Sequence, residues 1–371
     1  MRILNVVSCR GWSSDAYWAA RMTQELETRG HLVTLVCRRA RADTVIARAR
    51  GEGVKRIETL TLASGVKPVA DIADVRRLSR LLQETDVVHV HRGKEHWLAA
   101  VANRLTRTPR PIVRTRHIVQ IVRAHAPNRW LYGQATAHVV AVTDAIRRQY
   151  AAAGLVPPER LVTLSGGADA NAYRPGPPSP EVRARLGAPG DALLVGMVAG
   201  LRGMKGHGVV VDAAAQLARE GVRPRLAFVG RGAMEPVIRE AIRSAGIEGQ
   251  VTIAGFAQHL PPVMASLDIA LYVPLESEGM SRVLFEYLAA GRAVVASRVG
   301  VVPEVLTDGE HATLVPAGDA AALADALRRL IADPGRRIRQ GAAGRALIEA
   351  RYSGARVAEA LETLYARLPA A

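Results

Sequence analysis

Residues 2–37 run Arg2-Ile3-Leu4-Asn5-Val6-Val7-Ser8, then Cys9-Arg10-Gly11-Trp12-Ser13-Ser14-Asp15, then a helical stretch closed by Gly30, then Leu32-Val33-Thr34-Leu35-Val36-Cys37. The two apolar runs read as strands, and Asp15 reads as the cap of the helix between them. Strand, helix and strand at this spacing form a βαβ unit, whose crossover makes the strands parallel. The alternation continues outward, with strand-like runs at 57–62, 86–91, 112–115, 139–142 and 161–164. Helical stretches lie between them at 71–83, 95–105 and 144–153. Repetition of such units predicts a doubly wound parallel sheet.

The rhythm stops at Tyr173-Arg174-Pro175-Gly176-Pro177-Pro178-Ser179-Pro180, where four prolines fall within six residues. Proline removes the backbone donor and fixes φ, so this density predicts a linker rather than an element. Beyond it the strand runs resume at 193–198, 226–229, 251–254, 269–273, 294–297 and 313–315. Helices are expected at 206–220, 233–245, 281–290 and 319–331, and 334–368 reads as helix with a break near Ser353-Gly354. The expected class is α/β, with two Rossmann-like doubly wound parallel-sheet domains facing across a cleft. Their bounds are residues 1–173 and 174–350, with a C-terminal helix in 351–371 packing back on the N-terminal domain. Open parallel sheets bind ligands at the carboxyl ends of their strands, so the residues just after each strand carry the functional question.

Of the 371 residues, 49% are hydrophobic and 23% charged, which argues against disorder. Only 4% are aromatic, so the core rests on Ala, Val, Leu and Ile, the material of helices on buried parallel strands. Cys9 and Cys37 are too few for a disulfide framework or a four-ligand zinc site. No apolar run approaches the ~18 residues of a membrane span. The first residues form too short an apolar run for a signal peptide, and a cytoplasmic chain is expected.

Net charge is +16 and uneven: residues 1–170 hold 27 Lys and Arg against 14 Asp and Glu (+13), residues 171–371 hold 23 against 20 (+3). The span 96–143 has no acid, while Arg104, Arg107, Arg110, Arg114, Arg116, Arg123 and Arg129 accumulate. Such a bias directs the first half toward phosphates, a lipid surface or nucleic acid. A genome that writes Arg often explains Arg over Lys but not the missing acids. Trp130, Leu131 and Tyr132, beside Arg129, read as core or as an apolar addition to that basic surface.

The loop after the first strand lacks Gly-x-Gly-x-x-Gly spacing. Its small residues precede a helix start, which suits a phosphate or a sugar, or a plain turn. His89 and His91 share one face of the fourth strand and His96 follows on the next helix; strands often carry such pairs without a ligand, and no metal is expected. Arg114-Thr115-Arg116-His117 ends the next strand, a cation and an imidazole suited to a phosphate or a hydroxyl, or a polar turn. Gly200-Leu201-Arg202-Gly203-Met204-Lys205-Gly206-His207 follows a strand and opens a helix, where Arg202 and Lys205 bring charge to a bound anion.

The most informative segment is Pro274-Leu275-Glu276-Ser277-Glu278-Gly279-Met280-Ser281-Arg282-Val283-Leu284-Phe285-Glu286, directly after the strand at 269–273. Gly279, Met280 and Ser281 stand where a helix begins, so their amides can bind a diphosphate. Glu278 and Glu286 flank that place. A carboxylate beside a phosphate is unfavourable unless it holds something neutral, such as the paired hydroxyls of a sugar. Amides for phosphates and carboxylates for hydroxyls suit a nucleotide sugar.

With these pieces in order the chain resembles the GT-B fold retaining glycosyltransferases of family four, the group 1 type. Glu278 to Glu286 matches that family's Glu-x7-Glu signature, and Glu286-Tyr287-Leu288-Ala289-Ala290-Gly291-Arg292-Ala293-Val294-Val295-Ala296 continues it in register. Gly300-Val301-Val302-Pro303-Glu304-Val305, Asp308-Gly309, Lys205-Gly206-His207, Gly230-Arg231-Gly232, Gly255 and Gly167-Ala168-Asp169 add to the match. The resemblance implies that Glu286 holds the ribose hydroxyls, Glu278 the donor sugar, and Gly279, Met280 and Ser281 the distal phosphate. It implies that Lys205 neutralises the leaving diphosphate, with Arg202 beside it. His117 would lie near the donor sugar, and the loop containing Gly11, Ser13 and Ser14 would close over the diphosphate. His117, Glu278 and Lys205 are thus the expected catalytic groups. Two departures stand out: Gly200 occupies a position where the family often carries Arg, and Gly300-Val301-Val302 replaces the usual Gly-Gly.

The expected function is metal-independent transfer of a sugar, with retained configuration, from a nucleotide-diphosphate sugar to a hydroxyl. No cofactor is expected beyond that donor substrate. Arg92, His96 and Arg116 are candidates for the acceptor. The acceptor is expected to be a lipid-linked or anionic glycan of cell-envelope polysaccharide or lipopolysaccharide synthesis. The basic N-terminal half would sit peripherally on the anionic inner membrane face. A GT-B fold sugar-nucleotide 2-epimerase and a basic nucleic-acid-binding module are the alternatives. No stacking platform or nucleic-acid motif supports the latter, and no nucleic acid is expected.

Overall fold

The computed structural model describes residues 1–39, 44–277 and 279–369. The chain divides into two compact units, Met1–Gly167 with Gly354–Ala371, and Ala168–Ser353.

In the first unit the strands are β1 (Arg2–Val7), β2 (Leu32–Arg38), β3 (Ile57–Leu60), β4 (Val87–Val90), β5 (Ile112–Arg116), β6 (His138–Ala141) and β7 (Leu161–Thr163). The helices between them are α1 (Ser14–Thr28), α2 (Thr44–Gly51), α3 (Pro68–Gln83), α4 (Gly93–Arg104), α5 (Ala126–Gly133) and α6 (Asp144–Ala152). The seven strands are parallel, in the order β3-β2-β1-β4-β5-β6-β7. Helices cover both faces, which is why β4 is buried along its whole length and reads as a continuous apolar run broken only by His89. The winding reverses between β1 and β4. Such a switch point is where open parallel sheets bind their ligands.

The second unit contains α7 (Pro180–Arg185), β8 (Leu194–Val198), α8 (His207–Arg219), β9 (Arg225–Val229), α9 (Glu235–Ser244), β10 (Val251–Gly255) and α10 (Pro261–Ala265). It continues with β11 (Ile269–Tyr272), α11 (Arg282–Ala289), β12 (Ala293–Ser297), α12 (Val302–Val305), β13 (Thr313–Val315), α13 (Ala320–Ala332) and α14 (Pro334–Leu347). Six parallel strands stand in the order β10-β9-β8-β11-β12-β13, reversing between β8 and β11. Leu217, Phe228, Leu271, Leu323 and Leu327 fill the layer between this sheet and its helices. A π turn over Ile348–Tyr352 forms the break expected before Gly354. The last helix, α15 (Gly354–Ala366), belongs to the first unit. There Glu362 pairs with Arg29 and, at 3.0 Å, with His31.

Two local readings change. Asp15 is not the helix cap: Ser13 occupies that position, and the Asp15 carboxylate turns to Arg92 instead. The proline-rich stretch is not wholly linker. Pro180 opens α7, and Ser179 caps it by accepting from Val182 N–H at 3.3 Å. Proline is tolerated at a first helical position because that N–H has no intrahelical partner.

Candidate functional site

In the first unit the loops leaving β1 and β4 bring the candidate residues together. Asp15 is buried, and its Oδ2 accepts from Arg92 Nε at 2.5 Å while Oδ1 accepts from Ser13 Oγ. Burial alone would raise this carboxyl; the Arg92 hydrogen bond and the charges around it outweigh that and hold it well below the usual carboxylate range. Arg92 N–H donates to Glu95 Oε1 at 2.6 Å, and the same oxygen takes the Ser8 N–H at 3.3 Å. Glu95, fully buried, thus ties the two loops. The sequence reading missed it, although a Glu three residues after a helix cap is a readable signal.

His89, His91 and His117 surround Trp18 at ring distances of 5.8, 5.5 and 5.5 Å. His89 and His91 stack at 4.8 Å, as residues on one face of a strand should. His89 bridges Tyr365 OH and Thr115 Oγ1, both at 2.5 Å. Burial, with the nearby Arg114 charge, pushes His89 and His117 down to about 3 and holds His91 and His96 well below the ordinary imidazole range. Arg114 is itself buried, and neither its Nε nor its Nη1 has a partner among the described residues. Among the described residues, no group of three His, Cys, Asp or Glu is placed to hold a metal ion.

His96, expected at the acceptor, lies in the core. Its Nε2 meets Thr136 Oγ1 at 2.8 Å and its ring packs on Tyr132, so it cannot reach a ligand. Its position on the inner face of α4 puts it there. Arg92 and Arg116 are half-buried, Arg116 Nη2 donating to Gln120 O at 3.2 Å. Gly11 and Ser13 are half-buried and Ser14 exposed.

In the second unit the loops leaving β8, β9 and β11 lock together. Gly206 has φ +83°, and a Cβ there would stand 2.0 Å from Val273 O; at Gly230 it would stand 1.9 Å from Ala199 O. Only glycine permits these approaches. A 3-10 turn over Gly203–Lys205 carries the half-buried Lys205, and Leu275 N–H donates to Met204 O at 2.9 Å. Lys205 and the segment leading into α11 therefore share the switch point of this sheet. Gly279, Met280 and Ser281 are buried there, with Ser281 as the cap of α11. Glu286 is fully buried on α11, where Arg282 one turn earlier donates to its Oε1. Arg282 was missed, though its (i, i+4) spacing from Glu286 is legible. Arg202 is exposed, and its Nε lies 3.7 Å from where a side chain at Gly200 would begin. Arg231 lies 4.9 Å over the exposed Phe256 ring, a pairing no sequence signal announces. Glu278 lies outside the described residues.

Two doubly wound parallel sheets in this strand order are the GT-B architecture of glycosyltransferases. A glycosyltransferase structure from Rickettsia africae superposes with a TM-score of 0.85 at 18% identity, covering 98% of this chain and 97% of its own. HepE of Anabaena, in complex with UDP-glucose, gives a TM-score of 0.78 at 21% identity over 99% and 100% of the two chains. The D-inositol 3-phosphate glycosyltransferase of Acidothermus cellulolyticus is 31% identical over 280 residues, 68% of this chain, which spans 60% of that relative's length. Residues 16–172 match the glycosyltransferase family 4 model and residues 192–333 the model of glycosyl transferases group 1. The chain belongs to this glycosyltransferase family.

Proposed function

We propose that the protein transfers a sugar from a nucleotide-diphosphate donor to a hydroxyl of a glycan acceptor, with retained configuration and without a metal. The observation that carries this reading is the switch point of the second sheet, where the turn carrying Lys205 is hydrogen-bonded, through Met204 O and Leu275 N–H, to the segment that leads into α11, the helix bearing Glu286. Amides and Lys205 serve the diphosphate, and Glu286 the ribose hydroxyls. Arg202 takes the role of the cation absent at Gly200, and the Arg231–Phe256 pair supplies a flat surface for the base. Glu278, Gly279, Met280 and Ser281 hold the sugar and distal phosphate. In the first unit Arg92 and Arg116 are the groups that serve the acceptor.

A thermal-shift panel of nucleotide sugars tests this, because a ligand that binds only the native state raises the midpoint. At least one should stabilise the protein, and Glu286→Ala should weaken that ligand by about 1–3 kcal/mol by leaving hydroxyls unpaired. EDTA should leave turnover unchanged, and the product should keep the donor's anomeric configuration. A panel without a single shift would sink the donor assignment.

The acceptor reading rests on charge. Residues 96–143 carry no acid, and within them Ile118, Val119 and Ile121 are 51%, 37% and 81% exposed, flanked by Arg116, Arg123 and Arg129. Among the described residues no helix is long and apolar enough to cross a membrane. Exposed apolar residues among cations suit the surface of an anionic leaflet, each cation contributing about 1 kcal/mol, and hence a lipid-linked or anionic envelope glycan such as a lipopolysaccharide precursor. Trp130, Leu131 and Tyr132 are not the inserting group: Leu131 and Tyr132 are buried, and Trp130 stacks on Trp97. Co-sedimentation with anionic vesicles should be strong at low salt, lost at high salt, and reduced by Ile121→Asp. Equal binding to neutral vesicles, or none to either, means a soluble acceptor.

A further inference from the structure

A cavity of about 550 Å³ opens in the first unit at the amino-terminal ends of β5, β6 and β7. Its walls come from the last turns of α4, the loop entering β5, the end of α5 and the turn before β7. Arg104, Arg110 and Arg160 line it with Trp130 and Gln134, and among the described residues no carboxylate does. None of the three arginines has an ion-pair partner among the described residues. Like charges around one cavity repel one another, and an anion placed between them would relieve that repulsion.

The surrounding structure holds these cations in place. Pro109 and Pro111 flank Arg110 and restrict its loop. Asn103 clamps that loop from α4: its Nδ2 donates to Arg110 O and its Oδ1 accepts from Arg110 N–H, both at 2.8 Å. Arg110 Nε is buried without a partner among the described residues. Arg160 Nη1 donates to Gly133 O and Thr136 O, both at 3.1 Å, which fixes the plane of its guanidinium. Trp130 is braced by Trp97, with ring centres 5.8 Å apart and planes 23° apart.

We propose that this cavity binds a small phosphate ester carrying a ring, a sugar phosphate or a nucleoside monophosphate, with the phosphate on the guanidiniums and the ring against Trp130. Guanidinium forks match phosphate oxygens bidentately, and the volume is that of a small-ligand site. The cavity meets β5 at Ile112, about 13 Å along the strand from Arg116, so its ligand takes no part in the sugar transfer. Ile118, Val119 and Ile121 follow the opposite end of β5, so a lipid headgroup held there is not the source of the phosphate. Every lining residue lies in the first unit, and the site does not depend on the donor groups of the second.

Tryptophan fluorescence of the full chain, titrated with glucose 1-phosphate and with UMP, reads binding through Trp130, and calorimetry reads it independently. At least one ester should bind and saturate, glucose and uridine should not, and inorganic phosphate should bind about tenfold more weakly. Arg104→Met combined with Arg110→Met keeps the apolar stems and both Asn103 bonds, which run to the backbone of residue 110. That double variant should bind the ester at least tenfold more weakly, and the exposed Arg104→Met alone several-fold more weakly. Trp130→Phe should lose the emission change while calorimetry still detects the ester. Lys205→Ala should respond as the wild type does; a response that disappears there belongs to the donor groups and overturns the assignment. Undiminished affinity in both arginine variants overturns it too, as does the absence of heat and emission change with either ester at millimolar concentration. Inorganic phosphate binding as tightly as the esters overturns the ligand class.

Discussion

Lys205→Ala is expected to lower turnover by about two to three orders of magnitude while changing KM for the nucleotide sugar far less. Negative charge on the departing diphosphate grows toward the transition state, so a cation beside it is worth most there. The turn that carries Lys205 is set in place by its neighbours. It ends at Gly206, pressed against Val273, and Met204 O holds Leu275 N–H at 2.9 Å. That turn therefore lies against the segment that leads into α11. Steady-state kinetics on the donor selected by thermal shift decide the matter. An unchanged kcat removes Lys205 from the chemistry, and a rise in KM alone makes it a ground-state binding group.

The first unit should lose stability steeply in mild acid, with the second unit less affected. His89, His91, His96 and His117 are buried, and burial holds all four far below the ordinary value of 6.5. Above pH 6.5 the rings are neutral in both states and add no pH dependence. Below it the unfolded chain takes up protons that the native state refuses, so stability falls as pH falls, for His89 and His117 until their native rings titrate near pH 3. At pH 5.5 each ring costs about 1.4 kcal/mol, and four cost about 5–6 kcal/mol, comparable with the whole stability of many domains. All four tryptophans, Trp12, Trp18, Trp97 and Trp130, lie in the first unit, so fluorescence-detected unfolding reads that unit selectively. Its denaturation midpoint should fall markedly between pH 7 and 5.5. Arg114→Met should lessen the fall, because the Arg114 charge depresses every one of these rings. A midpoint that stays flat over that range would show that the histidines are not held neutral.

Much of the architecture was legible because parallel strands buried on both faces must be written as short apolar runs, and the helices between them as longer periodic ones. The thirteen strands among the described residues fall on the runs read as strands. Short helices were less visible. The helices α7, α10 and α12 have six, five and four residues, too few for a period to repeat, and proline stands in the first turn of each. Proline reads as a breaker in sequence, whereas at a helix start it is compatible with the backbone.

The candidate site divides in the same way. Sequence alone determined where the strand-end loops would be, since strand ends are set by local pattern, and it singled out Lys205, the glycine turn before α11 and Glu286 as candidates by spacing along one chain. Only the tertiary structure decided what each side chain meets. His96 and His117 both follow apolar strands in a basic stretch, yet one is sealed between α4 and Tyr132 and the other stands at the end of a hydrogen-bonded chain from Asn5. Asp15 and Arg92 are 77 residues apart and form one ion pair. Arg114 and Arg116 are separated by a single residue, and one is buried while the other is half-buried. The physical reason is that pattern along a chain encodes which face is apolar, whereas the state of a polar group depends on partners that arrive from distant strands. Those partners set its proton, its charge and its direction.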